Sequence, residues 1–327
     1  MNKITVYQFT DPVCIWCWGN EPVMRAIDYL YGDKIDIEFV MGGLVEDIAT
    51  LFDDLAVGDD AIARANERLH RDWIAASARH GMPVSAECVN TFSREQPSSF
   101  PQNIAYEAAK RQDPAAAKRF LRRIREATFA EARPTARIDV LIELAAEAGL
   151  DVAEFVDEYT HGNAQADFMQ DRTKCRRNGI TGFPSYMIKS EQTSIILGGY
   201  QNLGTFHTIV RRLSDGKIKP RKVGPSQANV ADFIKRYTTV YPVEIETAFG
   251  LDRDRTDLII DQLLADNRIT AEPIGDGRRL TAAKTARKER PQNTPTAKKR
   301  TAKAESKNDG NKNKATTKKP SPVATEA

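Results

Sequence analysis

Two cysteines three residues apart, Cys14 and Cys17, stand in the segment DPVCIWCWGNEP at residues 11–22. Such a pair can ligate a metal, close a structural disulfide, sit inert in a core or work as a redox couple. A structural zinc site draws four ligands, usually from two close pairs. The other cysteines, Cys88 and Cys175, are single, and His70, His80, His161 and His207 are too far apart to pair. No metal and no further cofactor is therefore expected. Four cysteines in 327 residues also make no disulfide scaffold. The redox reading has a mechanism. At the start of a helix, unpaired N–H groups and the helix dipole stabilise a thiolate, which predicts an exposed, acidic Cys14. Cys17, one turn later, is placed to resolve a mixed disulfide on Cys14.

The elements around the pair follow from periodicity. KITVYQFT alternates apolar and polar residues and predicts a strand with Ile4, Val6, Tyr7 and Phe9 as its inward set. NEPVMRAIDYLYG has helical spacing through Val23, Ile27 and Leu30, and KIDIEFVMGG is β-rich. Strand, helix and strand in about 40 residues make a βαβ unit. Residues 44–178 are helical almost throughout, with Gly149 ending one helix and Asp151 capping the next. FPSYMIK and TSIILGGY predict a hairpin, and NLGTFHTIVRRLSDG a closing helix. A βαβ opening and a ββα ending around a helical insertion describe a thioredoxin-type sheet, an α/β fold. The expected division is 1–43 with 179–216 for that domain and 44–178 for the insertion.

In such a sheet a proline preceded by a cis peptide lies opposite the cysteine pair, and the backbone before it is free to pair with an extended substrate. Pro184 in GITGFPSYMI has that place, with Gly182 and Phe183 ahead of it. Trp16 and Trp18 flank Cys17 and offer an apolar docking surface for an unfolded protein, with helix-to-sheet packing the competing role for Trp18. Cys88 and Cys175 read either as core thiols or as a second disulfide, a choice that sequence leaves open.

Beyond a Pro/Gly/Lys linker at 217–228 comes a compact unit, 229–281, with three helical patterns and a hairpin turning at Gly275–Gly277. This suggests a winged-helix-like module with a core of its own (Val230, Phe233, Ile245, Leu258, Leu263 among others), so that a fragment ending near Lys219 is expected to fold and stay active. Its third helix is acidic, with Asp252, Asp254, Asp257, Asp261 and Asp266, which disfavours a DNA-reading role. Arg278 and Arg279 of the hairpin are the candidate phosphate contacts, and a protein partner is the favoured occupant. From Thr281 onward there are 13 Lys/Arg against 4 Asp/Glu, an excess of nine in a chain of net charge +3. The body is therefore acidic, by about six charges. The tail, 282–327, is expected to be disordered and to touch nucleic acid only nonspecifically.

The N-terminal MNKITVYQFTDP is interrupted by Lys3, Gln8 and Asp11, unlike a secretory signal, and no run approaches a membrane span. A cytoplasmic location without membrane contact is expected.

Several separated motifs, in order, resemble the DsbA-like thioredoxin superfamily and its cytoplasmic FrnE-like branch. They are DPVCIWCWG at 11–19, PSSFPQNIAYEAAK at 97–110, FLRRIREATFAE at 120–131, VLIELAAEAGLDVAEF at 140–155 and CRRNGITGFPS at 175–185. The resemblance covers residues 3–215. It implies thiol–disulfide exchange on protein thiols, with Cys14 attacking, Cys17 resolving and Pro184 as the cis-proline. One branch of the superfamily instead delivers clients to a ClpXP-type protease. A noncatalytic adaptor is thus the alternative, and redox-linked DNA binding a third.

Overall fold

The computed structural model describes residues 3–52, 60–87 and 90–283. Cys88, and with it any pairing to Cys175, lies outside these residues, as does the basic tail from position 284 onward.

The chain opens with strand β1 (Ile4–Thr10), the short helix α1 (Ile15–Gly19), helix α2 (Glu21–Tyr31) and strand β2 (Ile35–Met41). Six helices follow: α3 (Ala61–His80), α4 (Phe100–Gln112), α5 (Pro114–Arg125), α6 (Ile138–Glu147), α7 (Val152–Thr160) and α8 (Ala164–Arg177). The sheet then resumes with β3 (Ser185–Lys189) and β4 (Ser194–Gly198), and α9 (Leu203–Leu213) closes it. Its strand order is β2-β1-β3-β4. β1 runs parallel to β2, from Ile4 opposite Ile35 to Thr10 opposite Met41, and antiparallel to β3, with Phe9 opposite Ser185. Because β1 is internal and covered on both faces, Gln8 and Thr10 are buried with Ile4, Val6 and Phe9, a burial that alternation alone does not predict. Tyr7 is only half-buried.

The inserted helices pack around small and aromatic side chains, among them Ala105, Ala109, Phe120, Leu144, Phe155 and Phe168, and this cluster reaches β2 through Met41. Local chemistry marks the joints. Gly81 takes the left-handed conformation (φ 73°) that ends α3, and the Asp113 and Asp151 carboxylates cap α5 and α7. After α5 the chain continues as a π-helical turn, Glu126–Ala130.

The C-terminal unit comprises α10 (Gln227–Tyr237), β5 (Thr239–Val240), α11 (Pro242–Phe249), α12 (Arg253–Ala265), β6 (Ile269–Ile274) and β7 (Gly277–Ala282), its sheet ordered β5-β7-β6. Its core differs from the independent one expected from sequence. Val230, Phe233, Ile245, Ile260, Leu263 and Leu280 belong to one apolar cluster with Ile4, Val23, Ile27 and Tyr29. The Tyr29 ring meets Phe233 edge-on at 5.0 Å and Phe249 at 5.7 Å. On α12 the inward stripe is Thr256, Ile260 and Leu263, spaced at helical period, which leaves Leu258 59% exposed rather than in the core. Nor is the linker loose, since Arg221 N–H donates to Leu30 O at 2.7 Å and pins it to the end of α2.

Candidate redox site and its buried charge network

The segment 11–14 leaves the sheet at the C-terminal end of β1, where Asp11 fastens the turn. One Asp11 oxygen accepts Val13 N–H at 2.8 Å. The other accepts Leu44 N–H at 2.7 Å and the Ser99 hydroxyl and Asn103 amide at 2.8 Å each. Burial pushes the Asp11 carboxyl up, against the pull of these four hydrogen bonds. Cys14 caps α1, and its Sγ accepts the Cys17 N–H at 3.2 Å. Both sulfurs are free thiols here.

Cys14 is not the exposed, acidic thiol expected at a helix start. It is 3% exposed against 0% for Cys17. Burial pushes the Cys14 thiol up, and the hydrogen bond and charge of Cys17 push it further. Burial also opposes ionisation of Cys17, but the Cys14 hydrogen bond, the Arg125 guanidinium, the Thr10 hydroxyl and the Asp11 N–H outweigh it and hold Cys17 below the ordinary thiol range. In the resting dithiol, negative charge therefore favours Cys17. The Cys14 hydrogen bond contributes most to this, and the Arg125 charge that α5 brings beneath the pair adds to it.

Continued one step past the Phe9–Ser185 pair, the register sets Pro184 next to Thr10, at the end of β1 that leads to the cysteines. The Phe183–Pro184 peptide is cis. Gly182 is exposed. The Phe183 backbone has no hydrogen-bond partner among the described residues, whereas the Pro184 carbonyl is taken by Gly199 N–H at 2.8 Å. The Phe183 ring does not face outward. It lies so close over Gly42 that a Cβ there would stand 1.8 Å from Phe183 Cζ.

The two tryptophans separate. Trp16 is half-buried, between His80 (5.9 Å) and the 44%-exposed Tyr200 (6.1 Å), and keeps a surface at the site. Trp18, expected as a second docking side chain, is wholly buried and touches no solvent. Its indole N–H donates to Pro83 O at 3.0 Å, and its ring packs on Phe129, Tyr241 and the Arg122 guanidinium. Trp18 is thus part of the scaffold.

Beneath the pair runs a charge network with no signal in the sequence beyond the arginines of FLRRIRE. Arg125, fully buried, donates to Thr10 Oγ1 at 2.5 Å and to Glu21. Arg122 reaches Glu126 (2.8 Å), Glu21 (3.4 Å) and Glu244 of α11 (3.0 and 3.2 Å). Arg25 joins Glu244 at 3.0 Å. Burial works against the Glu21 carboxylate, but Arg125, Arg122 and Arg25 hold it below its usual range. The wholly buried Glu244 thus ties the C-terminal unit into the floor of the site. The β6–β7 turn does the same from the other side. Asp276 accepts from Val84 N–H (2.9 Å) and the Ser77 hydroxyl (3.1 Å), beside the Pro83 carbonyl that holds Trp18. The arginines read as phosphate contacts are otherwise engaged, Arg278 with Asp257 (2.5 Å) and Arg279 with Glu131 (2.7 Å) and Glu272.

Among the described residues no helix is long and apolar enough to cross a membrane. A thioredoxin family model matches residues 7–207. The ClpXP adapter protein SpxH of Halalkalibacterium halodurans is 27% identical over 283 residues, which is 84% of this chain and 88% of that protein. SpxH of Bacillus subtilis is 22% identical over 261 residues, 78% of this chain and 81% of that protein. Among solved structures, a "putative protein disulfide isomerase" from Nitrosomonas europaea superposes with a TM-score of 0.53 at 20% identity, over 65% of this chain and 96% of that one.

Proposed function

Given that the chain belongs to the thioredoxin family, we propose that it is a cytoplasmic adaptor that holds a client protein for a ClpXP-type protease. One observation carries this reading. Its similarity to proteins named for that role runs over 283 residues, too long for the 7–207 family span, so it takes in the C-terminal unit as well. That unit, which we read as winged-helix-like, has its hairpin arginines neutralised by carboxylates, which favours a protein partner over a phosphate backbone. The reading is tested with purified ClpX and ClpP and a client captured by the chain itself. Client degradation is expected to accelerate when the protein is added, and to do so equally with a Cys14→Ser/Cys17→Ser double variant. No acceleration by either form would sink it.

A second reading, thiol–disulfide exchange on protein thiols, is favoured by the paired sulfurs with a cation near them and by the unpartnered Phe183 backbone before the cis peptide. Cys14, slightly the more exposed sulfur, is the attacking group and Cys17 the resolving one, which requires an arriving substrate to ease the ionisation of Cys14 that burial opposes. Under this reading Cys14→Ser abolishes insulin reduction and Cys17→Ser accumulates mixed disulfides. Membership of the FrnE-like branch belongs to the same reading. The two readings are compatible in one molecule, because a mixed disulfide is also a way to hold a client.

A further inference from the structure

We propose that the free edge of β2 is a docking groove for an extended, acidic segment of a client protein, which adds to the sheet as a further strand. The inference rests on the adaptor reading and names the chemistry of what the adaptor holds.

Backbone geometry carries it. β2 ends the sheet on one side, in the order β2-β1-β3-β4. Successive residues of a strand turn their N–H and C=O groups to opposite edges, so one alternate set bonds the neighbouring strand and the other faces away. Gly42 fixes which set is which, because its N–H donates to Thr10 O at 2.8 Å one step past the end of β2. Asp36, Glu38 and Val40 share its parity and turn to β1, so Ile35, Ile37, Phe39 and Met41 face away. Met41 agrees, since its N–H leaves the sheet for Asp171 Oδ2 at 2.8 Å. Ile35 N–H is taken by Gly32 O. The N–H groups of Ile37 and Phe39 and the carbonyls of Ile35, Ile37 and Phe39 have no partner among the described residues. Such a row is a template for an added strand.

A groove of about 920 Å³ lies along this row, within the roughly 300–1,000 Å³ of ligand clefts. Ile35, Ile37 and Phe39 form one wall, and α5 lines it with Lys118, Arg119, Arg122 and Arg123. Arg122 is held by Glu21, Glu126 and Glu244, and Arg123 by Glu131 and Glu147. Lys118 and Arg119 are exposed and make no ion pair among the described residues, which leaves their charge for an occupant. Of the acids lining the groove, Asp28 binds Arg236 and Asp36 binds Lys3, and Asp33 beside Gly32 is the one left unpaired among the described residues. Side chains alternate between the faces of a strand. On the face away from Ile37 and Phe39 the exposed Glu38 repels acids. The acidic residues of the occupant therefore recur at every second position, toward α5, with uncharged residues between them.

The experiment is fluorescence anisotropy of the full chain with a labelled peptide of about eight residues, a strand's length, alternating threonine and glutamate. Comparison peptides carry lysine in place of glutamate, or N-methyl groups on either the threonine or the glutamate nitrogens. The glutamate peptide is expected to bind, and the lysine peptide to bind at least about tenfold more weakly. One set of N-methyl groups should abolish binding and the other leave it intact, because only one edge of an added strand meets β2. Ile37→Pro removes an outward N–H without costing a bond to β1, and should abolish binding too. Lys118→Glu/Arg119→Glu, two exposed substitutions, should reverse the preference between the glutamate and lysine peptides. No binding of the glutamate peptide, equal binding of the two, or indifference to both methylated sets overturns the proposal, and none of these outcomes needs a variant to fold. Capture by the Lys-rich residues 284–327 would ignore both methylated sets and so counts against it as well. An unaltered preference in the Lys118→Glu/Arg119→Glu protein also overturns it. Client degradation by ClpXP that this variant accelerates as the wild type does would remove the groove and leave the adaptor reading. Binding of the glutamate peptide without any such acceleration would remove the adaptor reading and leave the groove.

Discussion

At the scale of single residues, burial decides which titrations matter. His80 sits against Trp16 and Gly19 and is 6% exposed. Its Nδ1 accepts Met82 N–H at 3.1 Å, so the neutral ring carries its proton on Nε2. Burial holds its pKa down to about 4, despite the nearby Asp276. Between pH 6.5 and about 4 the unfolded chain binds a proton that the folded protein refuses, so this histidine's contribution to stability is lost as pH falls. From about pH 7 to 5 the loss is about 2 kcal/mol. Glu107 works in the opposite direction. Burial raises its pKa to about 7, so its contribution is lost as pH rises toward that value. The net pH profile therefore hides both, and a variant separates them. Urea unfolding of His80→Gln and wild type is expected to differ by about 2 kcal/mol less at pH 5 than at pH 7. Parallel profiles would mean that His80 titrates as an exposed histidine does.

Between elements, α1 fits tightly on the end of α3. A Cβ on Gly19 would stand 2.3 Å from His80 Cδ2 and 2.9 Å from His80 Cβ, too near for a small shift to relieve. Gly19→Ala is expected to destabilise by about 1–3 kcal/mol through overpacking. In a His80→Gly background both the ring and Cβ are gone, and the cost of the same substitution should largely vanish. Strict additivity of the two substitutions in denaturant unfolding would show that α1 and α3 do not press on each other there. The same contact orients Trp16, which leans on His80 from one side and Tyr200 from the other. The Gly in the CIWCWG run thus serves packing against a helix that lies some 60 residues away in sequence.

At the scale of the whole molecule, the C-terminal unit completes the site. Glu244 is wholly buried and accepts from Arg122, Arg25 and the Tyr241 N–H. Removing one partner from a buried ion pair strands the others, at a cost of about 3–5 kcal/mol. Glu244→Gln should lower the urea midpoint of the entire protein in one transition. A fragment ending at Lys219 loses Glu244 together with the apolar cover over Tyr29 and Trp18. We expect that fragment to lack a cooperative unfolding transition by circular dichroism, contrary to the separable unit that its Pro/Gly/Lys linker suggests. A stable fragment that keeps a cooperative transition would refute this account of the interface.

Sequence alone determined the strand-to-helix setting of Cys14 and Cys17, the interrupted sheet, the position of Pro184 and the existence of three helices and a hairpin after residue 228. These are local facts. Strand alternation, helical period, caps and turn residues are written over spans of a few residues, and each reports the backbone directly. Tertiary structure decided what stands beneath and around the pair. Arg125 lies over a hundred positions from Cys17, and only the packing of α5 against β1 makes it the neighbouring charge. The same holds for the burial of Trp18, the exposure of Leu258 and the sharing of one core by α2 and the C-terminal unit. Each depends on what the other face of an element meets. Hydropathy can say that a side chain should be covered, but not by which distant element. Charge count likewise says that acids and bases are present, and only their approach to within about 3 Å makes a network of them.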